Sequence, residues 1–443
     1  MKRYTRRCIE KACRKTLGEG KILVLIGARQ TGKSTLSREL LKEIPEVEKL
    51  TLNLDDPFLR DRLVQTENSL IRSIEEKAQK PWSDIDRFFL LIDEAQKAPE
   101  LFERVKALHD AEQERIALIL TGSSALEIHD PVAETLAGRA RIFHLFPFTL
   151  SEGFAHQQGE HPSDSHAEMI SRLLCGRFGG GDFEALVNRA RRDSSQRRSW
   201  VEKQLRFPLF PEPSLSDQPE QWLRDYLATY LEKDIQSLAA LGNAALFRAA
   251  IRQIAARVGS TIKWETAAQQ LGTTSVTLRK YVGLMEQTFN LIRLSPFAAN
   301  PVKRVVHAPK LYLIDGGLLW GLRGFEDLRL LQASGMLGVY AEQAAIVEIA
   351  KWCSMEPTAP ELRFWSKTAV SEVDLVVSNR GYHIPFEIKL GQNFDPQWLR
   401  GLNAFEEDHR ALDLQIPYRI VVHQGEPSRP DDRTYAIPLW MFA

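Results

Sequence analysis

The first third of the chain alternates short, wholly apolar runs with longer segments of helical character. Apolar runs of about five residues are typical of strands buried on both faces, and helices between them favour parallel pairing. The pattern therefore predicts an α/β fold, with a doubly wound parallel sheet in residues 1–150. The predicted strands are Ile22–Ile26, Leu50–Leu54, Phe88–Ile92, Ile116–Leu120 and Arg141–Leu145.

Residues 151–221 have a different character, because polar side chains replace the regular apolar runs. A glycine-rich turn at Gly179–Asp182 and prolines at positions 208, 211 and 213 interrupt this segment, and its arginines gather in Arg189–Arg198. Glycine and proline at this density predict a partly helical connector.

Residues 222–330 are regularly helical again. Within them, Glu265–Glu286 has the spacing of a short helix, a turn and a second helix. Strands expected around Leu291–Leu294 and Arg304–His307 would complete a winged-helix-like domain. Residues 331–443 mix a helix with several short strands and predict a further α/β domain.

The composition is that of a soluble globular protein of more than one domain, with 44% apolar and 26% charged residues among 443. Basic and acidic residues each total 58, so any nucleic-acid contact is expected from local patches rather than from a basic surface. The four cysteines lack a neighbouring Cys/His pair, which argues against structural zinc and favours a reducing cytoplasm. No run approaches the roughly 18–20 apolar residues of a membrane span.

The segment GARQTGKST follows the first predicted strand and opens a helix. Its spacing matches GxxxxGK[ST], in which glycines let the backbone curl so that successive N–H groups face phosphate oxygens. Lys33 is expected to contact the β- and γ-phosphates, and the Ser34 hydroxyl to ligate Mg²⁺. The motif therefore predicts that ATP and Mg²⁺ bind here. The residues of this loop are Gly27, Ala28, Arg29, Gln30, Thr31, Gly32, Lys33, Ser34 and Thr35.

A second motif, FFLLIDEAQ, places Asp93 and Glu94 at the carboxyl end of an apolar strand. Asp93 is expected to hold Mg²⁺ through water, and Glu94 to orient and polarise an attacking water. Adjacent acids at a strand end also occur in solvent-facing turns, but the glycine-rich loop favours the catalytic interpretation. One strand lies between the two motifs in sequence, and this arrangement resembles the ASCE branch of P-loop ATPases, which has an extra central strand and a catalytic glutamate.

Two further residues are candidates for the same chemistry. Ser123, after the fourth predicted strand, would hold the attacking water or sense the γ-phosphate, with a helix N-cap as the alternative. Arg139, in ETLAGRARIF, would reach the γ-phosphate of a neighbouring subunit in a homo-oligomer and neutralise transition-state charge. An ordinary salt bridge is the alternative role for this arginine.

These segments together resemble a family of bacterial and archaeal AAA-type ATPases that are fused to a C-terminal domain of unknown function. The matching segments are GARQTGKST, LNLDDP, LLIDEAQ, TGSSAL, LAGR, FPEP, YLATYLEKDI, KLYLIDGGL, EVDLVV and FEIKL, which are spread over nearly the whole chain. The resemblance implies an ATPase core, a winged-helix-like segment and a C-terminal domain similar to restriction endonucleases. Residues 153–209 depart from the family pattern, because they form a longer and more basic segment than is usual.

The C-terminal domain carries a second group of candidate catalytic residues. Asp374 lies in SEVDLVV, and Glu387 and Lys389 lie two apart on one face of the next strand. This arrangement matches the PD-(D/E)xK pattern of Mg²⁺-dependent nucleases, in which Asp374 and Glu387 would ligate the metal and Lys389 would assist the attacking water. Glu342 would be the usual acid on a helix. The pattern is short, so solvated ion pairs or a fold kept only as a binding platform are the alternatives.

The leading hypothesis is a cytoplasmic Mg²⁺-dependent ATPase whose nucleotide state repositions a winged-helix and nuclease-like module on DNA. One alternative is an ATP-dependent switch that binds a protein partner and carries an inactive nuclease-like domain; another is a metal-dependent nuclease that ATP only gates. Whether the C-terminal acids line a cavity or are filled by ion pairs distinguishes these hypotheses. The candidate DNA contacts, for which protein packing is the alternative, are Thr274, Thr277, Arg279 and Lys280.

Overall fold

The computed structural model describes residues 4–66, 68–123, 135–231, 243–297, 308–325, 327–368, 371–412 and 414–443. The chain divides into two compact units. The first unit comprises Arg7–Phe146 with Gln287–Phe289. The second unit comprises Met1–Arg6, Pro147–Glu286 and Asn290–Ala443.

The first unit is built on a parallel sheet of five strands. These are β1 (Ile22–Ile26), β2 (Lys49–Asn53), β3 (Phe88–Asp93), β4 (Ile116–Gly122) and β5 (Ala140–His144). Their order is β2-β3-β4-β1-β5, and all neighbouring pairs are parallel. The predicted parallel α/β sheet is thereby confirmed, and β4 lies between the two strands that end in the sequence motifs.

Helices connect these strands. They are α1 (Glu10–Gly18), α2 (Lys33–Leu40), α3 (Pro57–Gln65), α4 (Ser69–Ala78) and α5 (Leu101–Glu112). Helix α3 shows a local reason for its start, because the Asp56 carboxylate accepts the N–H groups of Phe58 at 2.9 Å and Leu59 at 3.3 Å. Pro57 occupies its first position, where a missing N–H costs nothing.

The core of the first unit follows from the apolar runs. Every residue of β1 and β4 is buried, as expected for central strands covered on both faces. On one face, alternate strand residues such as Val24 and Leu118 pack with Leu70 of α4 and Val105 of α5. The sheet is therefore a rigid support for the loops at its carboxyl edge.

The second unit begins with helices, so the predicted connector is largely helical. They are α6 (Leu150–Gln157), α7 (Asp164–Leu174), α8 (Gly180–Arg191), α9 (Ser194–Gln204), α10 (Pro211–Ser214) and α11 (Pro219–Tyr226). A capping box starts α6, in which the Thr149 hydroxyl accepts the Glu152 N–H at 3.0 Å and the Glu152 carboxylate accepts the Thr149 N–H at 2.9 Å.

The middle of the second unit contains the predicted helix–turn–helix. Helix α12 (Ala244–Ala256) precedes α13 (Trp264–Gln270) and α14 (Ser275–Gln287). An antiparallel pair follows, β6 (Leu291–Pro296) and β7 (Lys310–Leu313). The strand predicted at Arg304–His307 lies outside the described residues, and the antiparallel partner of β6 in the described part of the chain is β7.

The C-terminal strands join this pair in one sheet. After α15 (Gly316–Arg323), α16 (Leu328–Ala333) and α17 (Leu337–Cys353), the elements are β8 (Glu361–Thr368), β9 (Ser371–Asn379), β10 (Tyr382–Ile388), α18 (Leu399–His409), β11 (Arg419–His423), β12 (Ser428–Asp431) and β13 (Thr434–Pro438). The sheet order is β12-β13-β11-β10-β9-β8-β6-β7. Because β6 pairs with both β7 and β8, residues 222–330 and 331–443, predicted as separate domains, contribute strands to one eight-stranded sheet.

Two general expectations can be compared with the described residues. None of the helices in those residues combines the length and the apolarity needed to cross a membrane. The four cysteines are free thiols, of which Cys13 and Cys353 are buried.

Candidate nucleotide-binding site

The loop between β1 and α2 has a backbone that favours glycine at two positions. At Gly27, φ is +154° and a β-carbon would lie 2.2 Å from the carbonyl oxygen of Leu145. At Gly32, directly before α2, φ is +93°. A side chain at either position would be strained, and at Gly27 it would also collide with backbone. These are the two glycines of the sequence motif.

Hydrogen bonds fix the interior of this loop. The buried Thr31 hydroxyl donates to the Ala28 carbonyl at 2.9 Å. The buried Arg7 guanidinium donates to the carbonyls of Thr31 at 2.9 Å and Phe146 at 2.7 Å. Arg7 was not among the sequence-based candidates, and it ties the loop to the segment that follows β5.

Lys33 is the first residue of α2, and its side chain is buried. Its ammonium group donates to the carbonyls of Gly27 at 2.9 Å and Ala28 at 2.8 Å. Burial lowers the pKa of Lys33 to about 8, and the charges of Glu94 and Asp93 oppose that shift. The structure therefore brings the loop lysine into the field of both acids of the second motif.

Asp93 and Glu94 follow one another at the carboxyl end of β3, and neutral side chains hold both. The Thr121 hydroxyl donates to the Asp93 carboxylate and accepts the Glu94 N–H at 3.3 Å. The Ser123 hydroxyl donates to Glu94 Oε2 at 3.2 Å, and the Gln96 amide donates to the same oxygen. In the described part of the chain, neither acid forms a salt bridge. Their negative charge is therefore oriented without being cancelled.

The sheet order explains this network. Strand β4 pairs with β1 on one side and β3 on the other, so its carboxyl end carries Thr121 and Ser123 to the acids. Glu94 has a left-handed backbone with φ of +55°, and strain of this kind in a non-glycine residue clusters at functional sites. Thr121 and Gln96 were missed as candidates, although both lie inside the motifs TGSS and IDEAQ.

The residues present fit a magnesium-bound nucleotide. Mg²⁺ prefers oxygen ligands, which the Asp93 carboxylate and the Ser34 hydroxyl provide. The loop amides, the first turn of α2 and the Lys33 ammonium suit phosphate oxygens. The side chain of Thr35 is exposed, consistent with a contact through its backbone alone.

Arg139 lies away from this site. Its carbonyl accepts the N–H of Ile22 at the start of β1, whereas the glycine-rich loop follows the other end of that strand. Its guanidinium binds Asp110 through Nε at 2.5 Å and Nη2 at 2.8 Å, and this bond lowers the pKa of Asp110. The arginine thus forms a salt bridge at the amino ends of the strands, away from the glycine-rich loop. Its action on a neighbouring subunit stays a prediction.

In the second unit, the C-terminal candidates lie in one cluster. Glu342 lies on α17, Asp374 on β9, and Glu387 on β10, one residue from its end. Burial raises the pKa of Asp374 well above its usual range, and the charges of Glu387 and Glu342 raise it further. The Asp374 carboxylate accepts the Ile388 N–H at 2.7 Å.

Lysines fill this cluster. Lys310 of β7 is buried, and its ammonium lies 3.4 Å from Glu342 Oε1 and is paired with Glu372. Burial lowers the pKa of Lys310, but the surrounding carboxylates, led by Glu342, outweigh burial and leave the pKa raised. Lys389 lies 2.5 Å from Glu387.

A neutral donor completes the cluster, since the Tyr312 hydroxyl donates to Glu342 at 2.6 Å. Across the residues that the structure describes, no three Asp, Glu, His or Cys side chains are grouped as ligands for a metal ion. The cluster has the ion-paired form that sequence reasoning had left as the alternative. Lys310 and Tyr312 lie in KLYLIDGGL, far from the PD-(D/E)xK segments in sequence.

The candidate DNA contacts on α14 are partly used within the fold. The Thr274 hydroxyl accepts the Thr277 N–H at 3.2 Å and so caps the helix. The Arg279 guanidinium lies 4.4 Å from the centre of the Trp264 ring, although the residue as a whole is exposed. Lys280 is exposed. Thr274 is also exposed, and contact of these four residues with DNA stays a prediction.

The loop, the acids and the strand order define an AAA-type P-loop ATPase domain in the first unit. Residues 19–154 match the family described as AAA domain. Residues 201–329 and 337–442 match two families that are each described as a domain of unknown function. The sequence therefore consists of an ATPase domain followed by two regions whose families have no assigned role.

Two mycobacterial proteins are similar along nearly the whole chain. They are the uncharacterized proteins Rv2008c of Mycobacterium tuberculosis and Mb2031c of Mycobacterium bovis, each 26% identical over 426 residues, which is 96% of this chain and 81% of the relative. Among solved structures, the Walker-type ATPase PABY2304 of Pyrococcus abyssi has a TM-score of 0.41 and 15% identity, over 72% of this chain and 96% of that chain.

Proposed function

We propose that the first unit binds ATP with Mg²⁺ and hydrolyses it. The observation that carries the proposal is the grouping of Lys33 with Asp93 and Glu94, in which the lysine is held by loop carbonyls and the acids by neutral donors. A phosphate-binding cation and uncancelled carboxylates are the two elements that phosphoryl transfer to water needs.

Each residue has a separate task in this mechanism. The loop amides and Lys33 bind the phosphates and stabilise the charge that develops on them. Asp93 and Ser34 would hold Mg²⁺, which would supply positive charge against the phosphates. Glu94, oriented by Gln96, accepts the proton of the attacking water.

For the second unit, the proposal is a switch that binds a protein partner according to nucleotide state, without nuclease activity. The pairing of Glu342 with the buried Lys310 supports the inactive-nuclease part of this proposal. A buried lysine supplies from within the chain the positive charge that a metal ion would otherwise provide, and breaking a buried ion pair is costly.

Action on DNA is the second candidate, and the exposed cations Arg279 and Lys280 of α14 favour it. In that function Asp374 and Glu387 would ligate Mg²⁺, and Lys389 would assist the attacking water. Lys389→Ala would then leave ATP hydrolysis unchanged and stop DNA cleavage.

The test is one set of incubations of the purified full chain with plasmid DNA and Mg²⁺, containing ATP or a non-hydrolysable analogue. Phosphate release from ATP that EDTA abolishes is the expected result. An absence of both phosphate release and bound nucleotide would contradict the proposal. Plasmid cleavage would overturn the inactive-nuclease part alone and support the second candidate, particularly if Lys389→Ala abolished it.

A further inference from the structure

A short segment from far along the chain contributes to the core of the first unit. Residues 19–154 match the AAA domain, yet Gln287–Phe289 belong to the first unit as well. They lie within residues 201–329, which match a domain of unknown function, at the end of α14 and just before β6. Phe289 packs against the hydrophobic core of the parallel sheet. The ATPase fold therefore takes a side chain from a region whose family has no assigned role.

The backbone at Phe289 is held in an unfavourable conformation. Its φ is +58°, in the left-handed region that a bulky side chain rarely adopts. The next residue, Asn290, is buried; its N–H donates to the Met285 carbonyl at 2.8 Å, and its carbonyl accepts the Ile314 N–H at 3.2 Å. The Asn290 side chain also accepts the Tyr226 hydroxyl at 3.2 Å. Backbone strain persists only where the surrounding structure fixes a residue, and it clusters at functional sites, so the placement of this ring calls for a functional explanation.

The Phe289 ring lies against His144, the last residue of β5. The centres of these two rings are 4.4 Å apart, and the centre of the Phe146 ring lies 4.0 Å from that of His144. Burial lowers the pKa of His144 to about 3, and the charge of Lys33 lowers it further. The imidazole is therefore neutral at physiological pH and lies within the electrostatic reach of the loop lysine.

The residue after His144 touches the nucleotide loop directly. The Leu145 N–H donates to the Ile26 carbonyl at 2.7 Å. The backbone of Gly27 approaches Leu145 so closely that a β-carbon on this glycine would lie 2.2 Å from the Leu145 carbonyl oxygen. The Gly27 carbonyl in turn accepts the Lys33 ammonium at 2.9 Å. Backbone packed this closely leaves little room for independent movement, so a shift of His144 would displace the start of the loop.

We propose that Phe289 is a positioning residue for the nucleotide loop and thereby links ATP binding to the end of α14. The inference rests on the proposed function of the first unit, because it concerns the same phosphate site. The ring holds His144 and, through the backbone of Leu145, the position of Gly27. Coupling between two sites is reciprocal, so a nucleotide whose binding depends on Phe289 must in turn stabilise the segment that carries it. That segment ends the second helix of the helix–turn–helix.

The test combines ATP titration with hydrogen exchange on the full chain. Phe289→Ala removes the ring, and Phe289→Leu keeps most of its apolar volume in case the first variant folds poorly. Phe89→Ala is the matched control, since Phe89 is also half-buried in the first unit but lies near the amino end of β3, away from the loop. Exchange is followed in the peptide 282–292, with and without a saturating non-hydrolysable ATP analogue and Mg²⁺. Circular dichroism checks the fold of each variant.

Phe289→Ala should weaken ATP affinity about tenfold and Phe289→Leu about threefold, whereas Phe89→Ala should leave it unchanged. In the unsubstituted chain and in Phe89→Ala, the analogue should slow exchange in the peptide 282–292. In Phe289→Ala that slowing should be lost even at saturation, an effect that weaker binding alone does not produce.

Two results would overturn the inference and leave the proposed ATPase function intact. One is an exchange response that persists in Phe289→Ala, and the other is an equal loss of ATP affinity in Phe289→Ala and Phe89→Ala. If the unsubstituted chain bound no ATP, the proposed function would fail, and this inference with it.

Discussion

The two carboxylate sites of this chain differ in what surrounds their acids. In the first unit, the hydroxyls of Thr121 and Ser123 hold Asp93 and Glu94, and Lys33 rests on backbone carbonyls. In the second unit, lysine ammonium groups contact the acids directly, at 3.4 Å for Glu342 and 2.5 Å for Glu387. The same residue types therefore form two electrostatically different sites.

The difference shows how a fold can leave the negative charge of a carboxylate available to a cation from solution or neutralise it with an internal lysine. A neutral donor orients the group and leaves most of its negative charge available for a cation from solution. A lysine held against it supplies that cation from within the chain. Each prediction below would separate the two sites further or show them to be alike.

The largest effect on ATP affinity is expected from Lys33→Ala. ATP affinity should fall by about 100-fold or more, because the phosphates lose their charged donor within the loop. Equilibrium titration with a fluorescent ATP analogue measures this loss. Lys389→Ala, the same change at the other site, should leave ATP affinity unaltered. Normal affinity in Lys33→Ala would remove the loop from the nucleotide site.

Glu94→Gln should bind ATP normally and turn over about 10²–10⁴-fold more slowly, because the attacking water loses its proton acceptor. Steady-state phosphate release and ATP titration together separate the two effects. Glu387→Gln is the control and should not change turnover. If Glu94→Gln hydrolysed ATP at the normal rate, Glu94 would have no part in the chemistry.

Lys310→Met tests the internal cation of the second site. Removing it leaves Glu342 and Glu372 without their ammonium partner and should destabilise the fold by about 3–5 kcal/mol in denaturant titration. Mg²⁺ should restore part of that stability in Lys310→Met but add little to the unsubstituted chain. Comparison in an Asp93→Asn background removes the contribution of the first site. A variant as stable as the unsubstituted chain would show that the lysine does not hold this cluster together.

The smallest effect is a pH dependence of ATP binding. The pKa of Lys33 is about 8, below its usual 10.5, so the free protein loses this charge as the pH rises through 8. Bound phosphate favours the charged form, and affinity should therefore be about tenfold weaker at pH 9 than at pH 7. In Lys33→Arg the guanidinium stays charged, and affinity should be weaker overall but constant across this range. An identical slope in both proteins would assign the titration to another group.

The sequence predicted those parts of the fold that depend on residues close together in the chain. Apolar runs such as Ile22–Ile26 identify buried strands because each residue of a central strand is covered, and the loop motif carries its own glycines. Polar strands lack that signal, and β12, with the sequence SRPD and little burial, was not predicted. The short buried strands β7 and β13 were not predicted either. The hydrogen bond from the Thr121 hydroxyl to Asp93 was also missed. It forms only because β4 lies beside β3 in the sheet, and the sequence does not reveal the order of the strands.

Pairings between distant segments could not be predicted. Glu342 and Lys310 are 32 residues apart in sequence and meet because α17 packs against β7, the strand at the edge of the second sheet. A short acid-x-Lys pattern is the same whether its acids face solvent, metal or an internal lysine. Likewise, the position of Arg139 in the sequence does not reveal that it lies at the amino ends of the strands, whereas the glycine-rich loop lies at their carboxyl ends.

The join between β6 and β8 changes where this protein can be divided. One family match ends at residue 329 and the next begins at residue 337, which suggests a boundary between two domains. Yet Ser295 pairs with Arg363 across the join, and the Phe297 N–H donates to the Phe364 carbonyl at 2.5 Å. If the chain were cut between residues 329 and 337, one fragment would keep only the pair β6 and β7. The other fragment would expose the unpaired backbone N–H and C=O groups of β8, which favour aggregation. We therefore expect the regions of the two family matches to unfold as one cooperative unit, because one sheet runs through both of them.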